Sequence, residues 1–175
     1  LFLRANLHIS NNEHSLAVPM LLETLRIVLE SQQKGKDVPA QDMVSEIVIW
    51  NQLALCYSEL RQLSDAEAAY FNAIASDSTR YEPHVNLASL YRTQGRYEDA
   101  IKHMQLAEEM FSASGSTPPL SVLYNAGLIY IDKGAYSDAK TKFSKVKSIC
   151  ASKDIRAMHN VQCSDAESML RQIGK

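Results

Sequence analysis

The sequence predicts an all-α protein built as an α-solenoid of stacked antiparallel helix pairs. Three observations lead to this fold class. A set of seven residues recurs after 34 residues and again after 39, apolar residues fall at helical spacing within it, and glycine or proline stands near the expected helix ends. Because each pair of helices in such a repeat buries its apolar faces only against its neighbours, the repeats stack in a line instead of closing into a globule.

The recurring set begins at Trp50. Its first copy is Trp50, Leu53, Ala54, Tyr57, Ala66, Tyr70 and Ala73. The second copy is His84, Leu87, Ala88, Tyr91, Ala100, Met104 and Ala107. The third is Leu123, Ala126, Gly127, Tyr130, Ala139, Phe143 and Val146. Five additional residues, 115–119, separate the last two copies and have the composition of a turn.

Helical spacing supports the same reading within the first copy. An apolar stripe at i, i+4, i+7, i+11 and i+14 comprises Met43, Ile47, Trp50, Ala54 and Tyr57. Ser64 and Glu67 stand at the spacing of a capping box, so the second helix of this pair is expected to begin with Ser64 as its N-cap.

Glycine and proline mark the helix ends of the later copies. Gly95 and Gly134 fall between the paired helices, where a residue in the left-handed conformation commonly ends the first helix. Pro83 and Pro119 stand near the starts of first helices, where a missing N–H costs little.

This pattern resembles the tetratricopeptide repeat, in which a bulky residue, Leu, a small residue and Tyr lie on the first helix and Ala, an aromatic residue and Ala on the second. The resemblance implies a right-handed superhelix with repeat units at 47–80, 81–114 and 120–153, separated by the insertion at 115–119. It is strongest over residues 43–152.

The two ends depart from the regular register. Residues 1–46 are interpreted as a degenerate unit with an extended hairpin and a polar loop at 32–39, after which Pro39 starts the next helix. Residues 154–175 are interpreted as a terminal capping helix or a truncated repeat, because the last Asp-Ala pair follows the preceding one after only 27 residues.

The resemblance also implies a peptide-binding groove lined by the first helices. The candidate partner-binding residues at inward positions are Asn51, Gln52, Glu82, Asn86, Arg92, Tyr124 and Asn125. Among them Gln52, Asn86 and Asn125 share one repeat position, and a carboxamide both donates to a carbonyl and accepts from an N–H of an extended peptide. The alternative is that Asn is simply common at this position.

Some members of the family bind acidic C-terminal tails of chaperones through a clamp of Lys, Arg and Asn. This chain departs from that clamp at four positions. Asn51 and Ser121 stand where Lys is expected, Asn125 where Arg is expected, and Leu55 where Asn is expected; only Asn86 agrees. The sequence therefore disfavours a chaperone-tail co-adaptor.

Motifs for catalysis are absent from the sequence. It contains no glycine-rich phosphate loop, GxSxG or HExxH, so we expect no enzymatic activity and no cofactor. Cys150, His159 and Cys163 include an i, i+4 pair that a zinc site could use, but the CxxC spacing is missing and no metal site is predicted. Three cysteines do not suggest a disulfide framework, which favours a reducing, cytoplasmic compartment without excluding an organelle or cilium.

Charge limits the choice of partner. The net charge is −2, which gives no overall attraction to nucleic acid or anionic lipid. The halves differ, with −5 on residues 1–88 and +3 on 89–175. The candidate basic surface consists of Lys140, Lys142, Lys145 and Lys147. No apolar stretch reaches the length of a membrane span.

These observations predict a non-catalytic scaffold or adaptor that binds a protein or peptide segment in its concave groove. The first residue is Leu1, so we expect that a longer protein has been trimmed or that a targeting segment has been removed, and nothing up to Ser10 resembles a signal peptide. We expect the scaffold to act as part of a larger protein or of a multi-protein complex. The alternative from another class is an RNA-associated adaptor that uses the basic surface.

Overall fold

The structure is a computed structural model that describes residues 1–33, 44–113 and 115–174. The described residues form ten α-helices and contain no β-strand. The prediction of an all-α protein is therefore confirmed. The chain divides into two compact units, Leu1–Pro83 and His84–Lys175.

The first unit contains two antiparallel helix hairpins. Its helices are α1 (Phe2–Ser10), α2 (His14–Gln33), α3 (Glu46–Glu59) and α4 (Leu63–Ser76). Helix α2 packs against both α1 and α3, and α3 packs against α4. Small and aliphatic side chains without solvent exposure form the core between these helices, among them Ala5, Ala17, Leu21, Ile49, Leu53 and Ala66. Most of the predicted loop at 32–39, with Pro39 and Met43, lies outside the described residues.

The second unit continues with the same kind of hairpin. Its helices are α5 (Glu82–Thr93), which begins two residues before the unit boundary, α6 (Tyr97–Ala113), α7 (Leu120–Lys133), α8 (Tyr136–Ile149), α9 (Lys153–Met158) and α10 (Asn160–Ile173). Helix α7 packs against α6 and α8, and α10 packs against α8 and, less extensively, α7.

The core of the second unit follows the repeat signature. Leu123, Ala139, Phe143 and Val146 are almost completely buried in one cluster. Gly127 faces the ring of Phe143 so closely that a Cβ built on Gly127 would lie 2.7 Å from its Cε1. Small residues on one helix therefore permit the close approach of an aromatic residue on the other, as the repeat pattern predicts.

The three signature tyrosines are not equally buried. Tyr91 is 2% exposed and contacts the Arg96 guanidinium, which lies 4.1 Å above the ring centroid. Tyr57 and Tyr130 are half-buried. Burial of the signature tyrosine is therefore most complete at Tyr91, whereas Tyr130 packs against the core cluster from its edge.

Within the described residues, the turns that join the two helices of each of four pairs have the same backbone conformation. Positive φ angles occur at Asn12 (59°), Arg61 (61°), Gly95 (72°) and Gly134 (81°). In each turn the following N–H donates to the carbonyl five residues before it, at His8, Tyr57, Tyr91 and Tyr130 respectively, over 2.8–2.9 Å. This is the 6→1 hydrogen bond of the Schellman motif, which satisfies carbonyls left free at a helix end.

The predicted capping box at Ser64 is wrong. Helix α4 begins at Leu63 with Gln62 as its N-cap, and no side chain caps it. The left-handed turn at Arg61 directs the chain into the helix early, and the Ala66 N–H already donates to the Gln62 carbonyl over 3.0 Å. Ser64 is therefore inside the first helical turn.

The terminal segment forms two helices that are separated at His159, where φ is −122°. The sequence had left open a single helix over 154–173 or a truncated repeat. In the structure α10 lies on the last hairpin, and its Ala166 is completely buried. Exposed side chains of α9 include that of Met158.

The cysteine prediction is wrong for two of the three residues. Cys150, at the end of α8, and Cys163 of α10 form a disulfide with their Cα atoms 5.9 Å apart. Packing of α10 against α8 brings the two buried residues together, which their spacing in sequence does not reveal. The two sulfurs that an alternative zinc site would use are therefore bonded to each other. Cys56 is a buried free thiol.

None of the helices in the described ranges has both the length and the apolar character needed to cross a bilayer.

Candidate functional site

In the first unit, the predicted binding residues lie on one face of α3. Asn51 and Gln52 are half-buried there. Val48 and Leu55, three or four residues before and after them, are 39% and 37% exposed. This i, i+3, i+4, i+7 spacing makes a mixed surface of carboxamides and aliphatic side chains. Such a surface can contact both the backbone and an apolar side chain of a bound segment.

Glu82, at the start of α5, is engaged within the protein. Arg80 donates to both of its carboxylate oxygens, with Nη2 to Oε1 at 2.6 Å and Nε to Oε2 at 3.1 Å. The hydrogen bonds from Arg80 lower the pKa of the Glu82 carboxyl below its usual value. Glu82 is therefore ionised near neutral pH and already has a cationic partner.

In the second unit, a salt bridge joins α5 to α7. The Nε of Arg92 donates to Oδ2 of Asp132 over 2.5 Å, and both side chains are about one-third exposed. Partly exposed pairs of this kind contribute little to stability. The bridge nevertheless fixes the direction of the Arg92 side chain, which sequence analysis predicted to contact a partner.

A second polar contact joins α7 to α10. The Tyr124 hydroxyl donates to Oδ2 of Asp165 over 3.2 Å, while the Tyr124 ring meets Phe143 edge-on at 6.0 Å. Burial raises the pKa of Tyr124, and the negative charge and hydrogen bond of Asp165 raise it further, against an opposing effect of Arg92. Arg92, Tyr124, Asp132 and Asp165 therefore belong to one electrostatically connected region.

Neither aspartate of this region was predicted from the sequence. Asp165 belongs to the last Asp-Ala pair, and the structure places its carboxylate against Tyr124 on the first helix α7. The shortened interval before Asp165 was the signal that α10 does not follow the second-helix register. Asp132 lies outside the signature positions, and nothing in its spacing identified it.

The two remaining predicted residues of this unit, Asn86 and Asn125, lie on α5 and α7. Both are half-buried, at the same repeat position. Asn125 follows Tyr124 directly and is therefore on the adjacent part of the α7 surface. We refer to the surface formed by Asn86, Arg92, Tyr124, Asn125, Asp132 and Asp165 as the polar face.

A pocket with a mixed apolar and polar lining lies next to the polar face. Its volume is about 400 Å³, and its lining residues are Ile131, Tyr136, Met169, Gln172 and Ile173. Ile131 comes from α7 and immediately precedes Asp132, whereas Met169 comes from α10, one turn after Asp165. The pocket is therefore formed by the two helices that the Tyr124–Asp165 hydrogen bond joins, together with Tyr136 at the start of α8.

Lys142 differs from the other residues of the predicted basic surface. Its Nζ donates to both carboxylate oxygens of Glu108 over 2.6 Å, and the two side chains are only 15% and 18% exposed. Its charge is therefore largely neutralised between α6 and α8. Lys140, Lys145 and Lys147 are exposed on α8.

Two histidines form a buried pair in the second unit. The Nδ1 atoms of His84 and His103 are 3.0 Å apart, and the residues are 7% and 8% exposed. Burial lowers the pKa of His84. Since a hydrogen bond between two Nδ1 atoms needs one donor and one acceptor, the two rings hold complementary tautomers. Their burial places them in the core and away from any partner.

Comparisons with known proteins agree with this architecture. Residues 84–109 match the model of the tetratricopeptide repeat. BtubC (BKLC) of P. vanneervenii is similar with a TM-score of 0.72 at 18% identity, covering 97% of this chain and 68% of that one. The translocator chaperone SycD of Yersinia enterocolitica has a TM-score of 0.62 at 16% identity, covering 75% and 94%. The first tetratricopeptide repeat domain of Spaghetti (RPAP3), bound to the HSP90 peptide SRMEEVD, has a TM-score of 0.60 at 16% identity, covering 75% and 94%.

The predicted resemblance to tetratricopeptide repeat proteins is therefore confirmed, and with it the α-solenoid fold class. Identities of 16–18% establish a common fold. Identities at this level do not identify a binding partner, because function depends on side chains that differ between proteins of one fold.

Proposed function

We propose that this tetratricopeptide repeat solenoid is a non-catalytic scaffold that binds an extended segment of a partner protein on its first helices. The observation that carries the proposal is the polar face, where half-buried polar side chains of three helices are held next to one another by the Arg92–Asp132 and Tyr124–Asp165 contacts. Preorganised side chains lose less conformational entropy when a partner binds.

The carboxamides supply the chemistry for backbone recognition. Asn86 and Asn125 share a repeat position with Gln52 of the first unit. Each amide group can donate to a peptide carbonyl and accept from a peptide N–H, so affinity arises with little dependence on the sequence of the bound segment. Specificity then depends on the apolar and charged side chains around them.

An acidic tail is not the partner that this surface favours. The Spaghetti domain is similar in fold and is bound to an HSP90 peptide whose sequence, SRMEEVD, is acidic. At positions where the family's clamp uses Lys or Arg, this chain has Asn51, Ser121 and Asn125. We therefore infer a neutral or basic partner segment.

An unbiased peptide selection tests the proposal. A random peptide library is selected against the immobilised chain, and the affinity of an enriched peptide is measured by calorimetry. We expect the double variant Asn86→Ala with Asn125→Ala to weaken binding about tenfold, since neutral hydrogen bonds contribute about 0.5–1.5 kcal/mol each. Gln105→Ala, which removes an exposed carboxamide from the second helix α6, is the matched control and should leave affinity unchanged.

Two results would contradict the proposal. One is a library that yields no ligand for a chain shown by circular dichroism to be folded. The other is an enriched peptide whose affinity falls equally in Gln105→Ala and in the double variant, which would place the binding surface away from the first helices.

The RNA alternative has weaker support. With Lys142 engaged by Glu108, the exposed part of the basic surface is reduced to Lys140, Lys145 and Lys147. Binding of generic RNA with a steep decrease in affinity as salt rises would favour this alternative, because phosphate contacts release counterions. A cytoplasmic location and membership of a larger complex also stay predictions.

A further inference from the structure

The cleft between α7 and α10 combines a pocket lined by aliphatic side chains, Tyr136 and Gln172 with a carboxylate that has no cationic partner. Asp165 accepts a hydrogen bond from the neutral Tyr124 hydroxyl. No ion pair in the described part of the chain involves Asp165, whereas Asp132 is paired with Arg92. The polar face therefore contains one cation and two carboxylates and has a net charge of −1.

The two helices run in the same direction along this cleft. Tyr124 donates to Asp165 at one end, and Ile131, Met169 and Ile173 line the same pocket at the other. Residue numbers increase along both helices between these contacts. Helix α10 thus takes the place that the first helix of a following repeat would take, and the cleft extends the surface proposed above.

The spacing of residues along α10 gives the distance between the Asp165 carboxylate and the pocket. Met169 and Ile173 follow Asp165 by four and eight residues, which corresponds to about 6 and 12 Å along a helix. An extended peptide spans about 3.3 Å per residue. Side chains two to four residues apart in a bound peptide can therefore reach Asp165 and the pocket together.

We propose that this cleft binds a linear segment of a partner protein in which a large apolar side chain stands two to four residues from Lys or Arg. The apolar side chain enters the pocket of about 400 Å³, a volume at the small end of the range for ligand sites. The cation pairs with Asp165 in a partly buried position. A charge-assisted hydrogen bond of this kind is stronger than a neutral one. This inference rests on the proposed function and specifies the partner's chemistry.

The first test uses synthetic peptides with the full chain. All have a Gly/Ser background and one Leu or Phe, with Arg two, three or four residues away. Matched peptides replace Arg by Glu, or the apolar residue by Ser. In fluorescence anisotropy, we expect the apolar-plus-Arg peptides to bind at least tenfold more tightly than either matched set. Equal binding of the Glu peptides, or no binding of any peptide, would overturn the inference.

Two pairs of variants locate the peptide. Asp165→Asn retains an oxygen acceptor for Tyr124 but removes the charge, and it should weaken the Arg peptides about tenfold; Asp154→Asn, an exposed aspartate on α9, is its control. Tyr136→Ala removes an exposed wall of the pocket and should weaken every peptide that contains Leu or Phe. Tyr97→Ala, at the same repeat position on α6, is its control.

Failure here is distinguishable from failure of the scaffold proposal. If the unbiased library yields ligands that depend on Asn86 and Asn125 while the apolar-plus-Arg peptides do not bind, the cleft inference is wrong and the scaffold stands. Tight binding of those peptides that is unchanged in Asp165→Asn also overturns the cleft assignment. If neither the library nor the designed peptides bind, both proposals are wrong.

Discussion

Gly127 shows how much of the packing in the second unit depends on a single missing side chain. A Cβ at this position would lie 2.7 and 2.8 Å from two ring carbons of Phe143, which is completely buried. The preceding repeat has Ala88 and Met104 at the corresponding positions. The second unit thus pairs glycine with the ring of Phe143 and alanine with the flexible side chain of Met104.

We predict that Gly127→Ala destabilises the protein by up to about 2 kcal/mol. The added methyl group overpacks the core at a cost of about 1–3 kcal/mol, from which the gain of about 1 kcal/mol that alanine brings to a helix is subtracted. Urea denaturation measures the difference. Adding Phe143→Met, as in the preceding repeat, should recover part of it, and a Gly127→Ala protein as stable as the wild type would show that the ring is not confined.

Tyr91 is the signature tyrosine with the largest expected effect. Tyr91→Ala should cost about 3–5 kcal/mol of unfolding free energy, as truncations of buried aromatic residues do. Tyr130→Ala should cost less, because Tyr130 is only half-buried. A loss below about 1 kcal/mol at Tyr91 would indicate that its ring does not fill the core.

The buried His84 predicts a pH dependence of stability. Burial lowers its pKa from 6.5 in the folded protein, so the unfolded chain binds protons more readily. The contribution of the neutral His84 side chain to the free energy of unfolding is therefore fully present above about pH 6.5 and is lost as the pH falls below that value. We expect the unfolding free energy to decrease by at most about 1.4 kcal/mol per pH unit for this one group. Chemical denaturation at pH 5.5 and 7.5 should show a smaller decrease in His84→Leu than in the wild type.

At the level of the element, the backbone conformation of the hairpin turn is the same in each of the four pairs, whereas the residue with positive φ differs in type. Four turns share one hydrogen-bond pattern and a positive φ, but only Gly95 and Gly134 could be identified from residue type. Asn12 and Arg61 have the same backbone with a side chain attached. For Arg61, which has no short polar group to support the left-handed conformation locally, this costs roughly 1–2 kcal/mol.

Arg61→Gly should therefore stabilise the protein by about 0.5–1 kcal/mol. This figure is the backbone cost that glycine removes, less the free energy lost because glycine raises the conformational entropy of the unfolded chain. Thermal or urea denaturation measures the change. Gln62→Gly is the matched control, because φ is −84° at this adjacent residue, and it should destabilise. A destabilised Arg61→Gly protein would mean that the arginine side chain makes a contact that outweighs the backbone cost.

These turns also explain why helix starts were harder to predict than helix ends. Gly134 ends α7 as expected, but α4 and α8 begin directly after the turn, with Gln62 and Ala135 as N-caps and no capping side chain. The geometry of the turn itself directs the chain into the next helix. The capping-box pattern at Ser64 is therefore coincidental. The conformation of the hairpin turn, and not a capping side chain, determines where α4 begins.

At the level of the whole molecule, repetition made the fold class predictable, whereas long-range pairings were not. The period of the signature identifies which residues face the core, since each copy repeats the same contacts. The partners of Arg92 and Tyr124 lie 40 and 41 residues away, and Cys150 meets Cys163 only because α10 turns back onto α8. The Tyr124–Asp165 contact and the disulfide depend on the path of an irregular terminal segment, for which the repeat pattern gives no template, and the Arg92–Asp132 pair uses an aspartate outside the signature positions.

In a solenoid, a destabilising substitution is also expected to affect mainly the helices next to it. Helix α7 contacts α6 and α8, and each hairpin mainly meets its neighbours, so stability is approximately a sum over neighbouring repeats. In Gly127→Ala, hydrogen exchange should accelerate most in α7, α8 and α10, while the protected amides of α1 and α2 change little. Uniform acceleration across the chain would instead indicate a single cooperative unit.

The disulfide determines the products of proteolytic cleavage between Cys150 and Cys163. Residues 151–154 and 157–161 are exposed, which makes this connection accessible to a protease. Both flanking helices are joined by Cys150 and Cys163. A single cleavage between these cysteines therefore yields a nicked molecule that keeps its full mass on a non-reducing gel. The segment bearing Asp165 and Met169 leaves only when a thiol reagent is added, so the two gel conditions together reveal the cut and the bond.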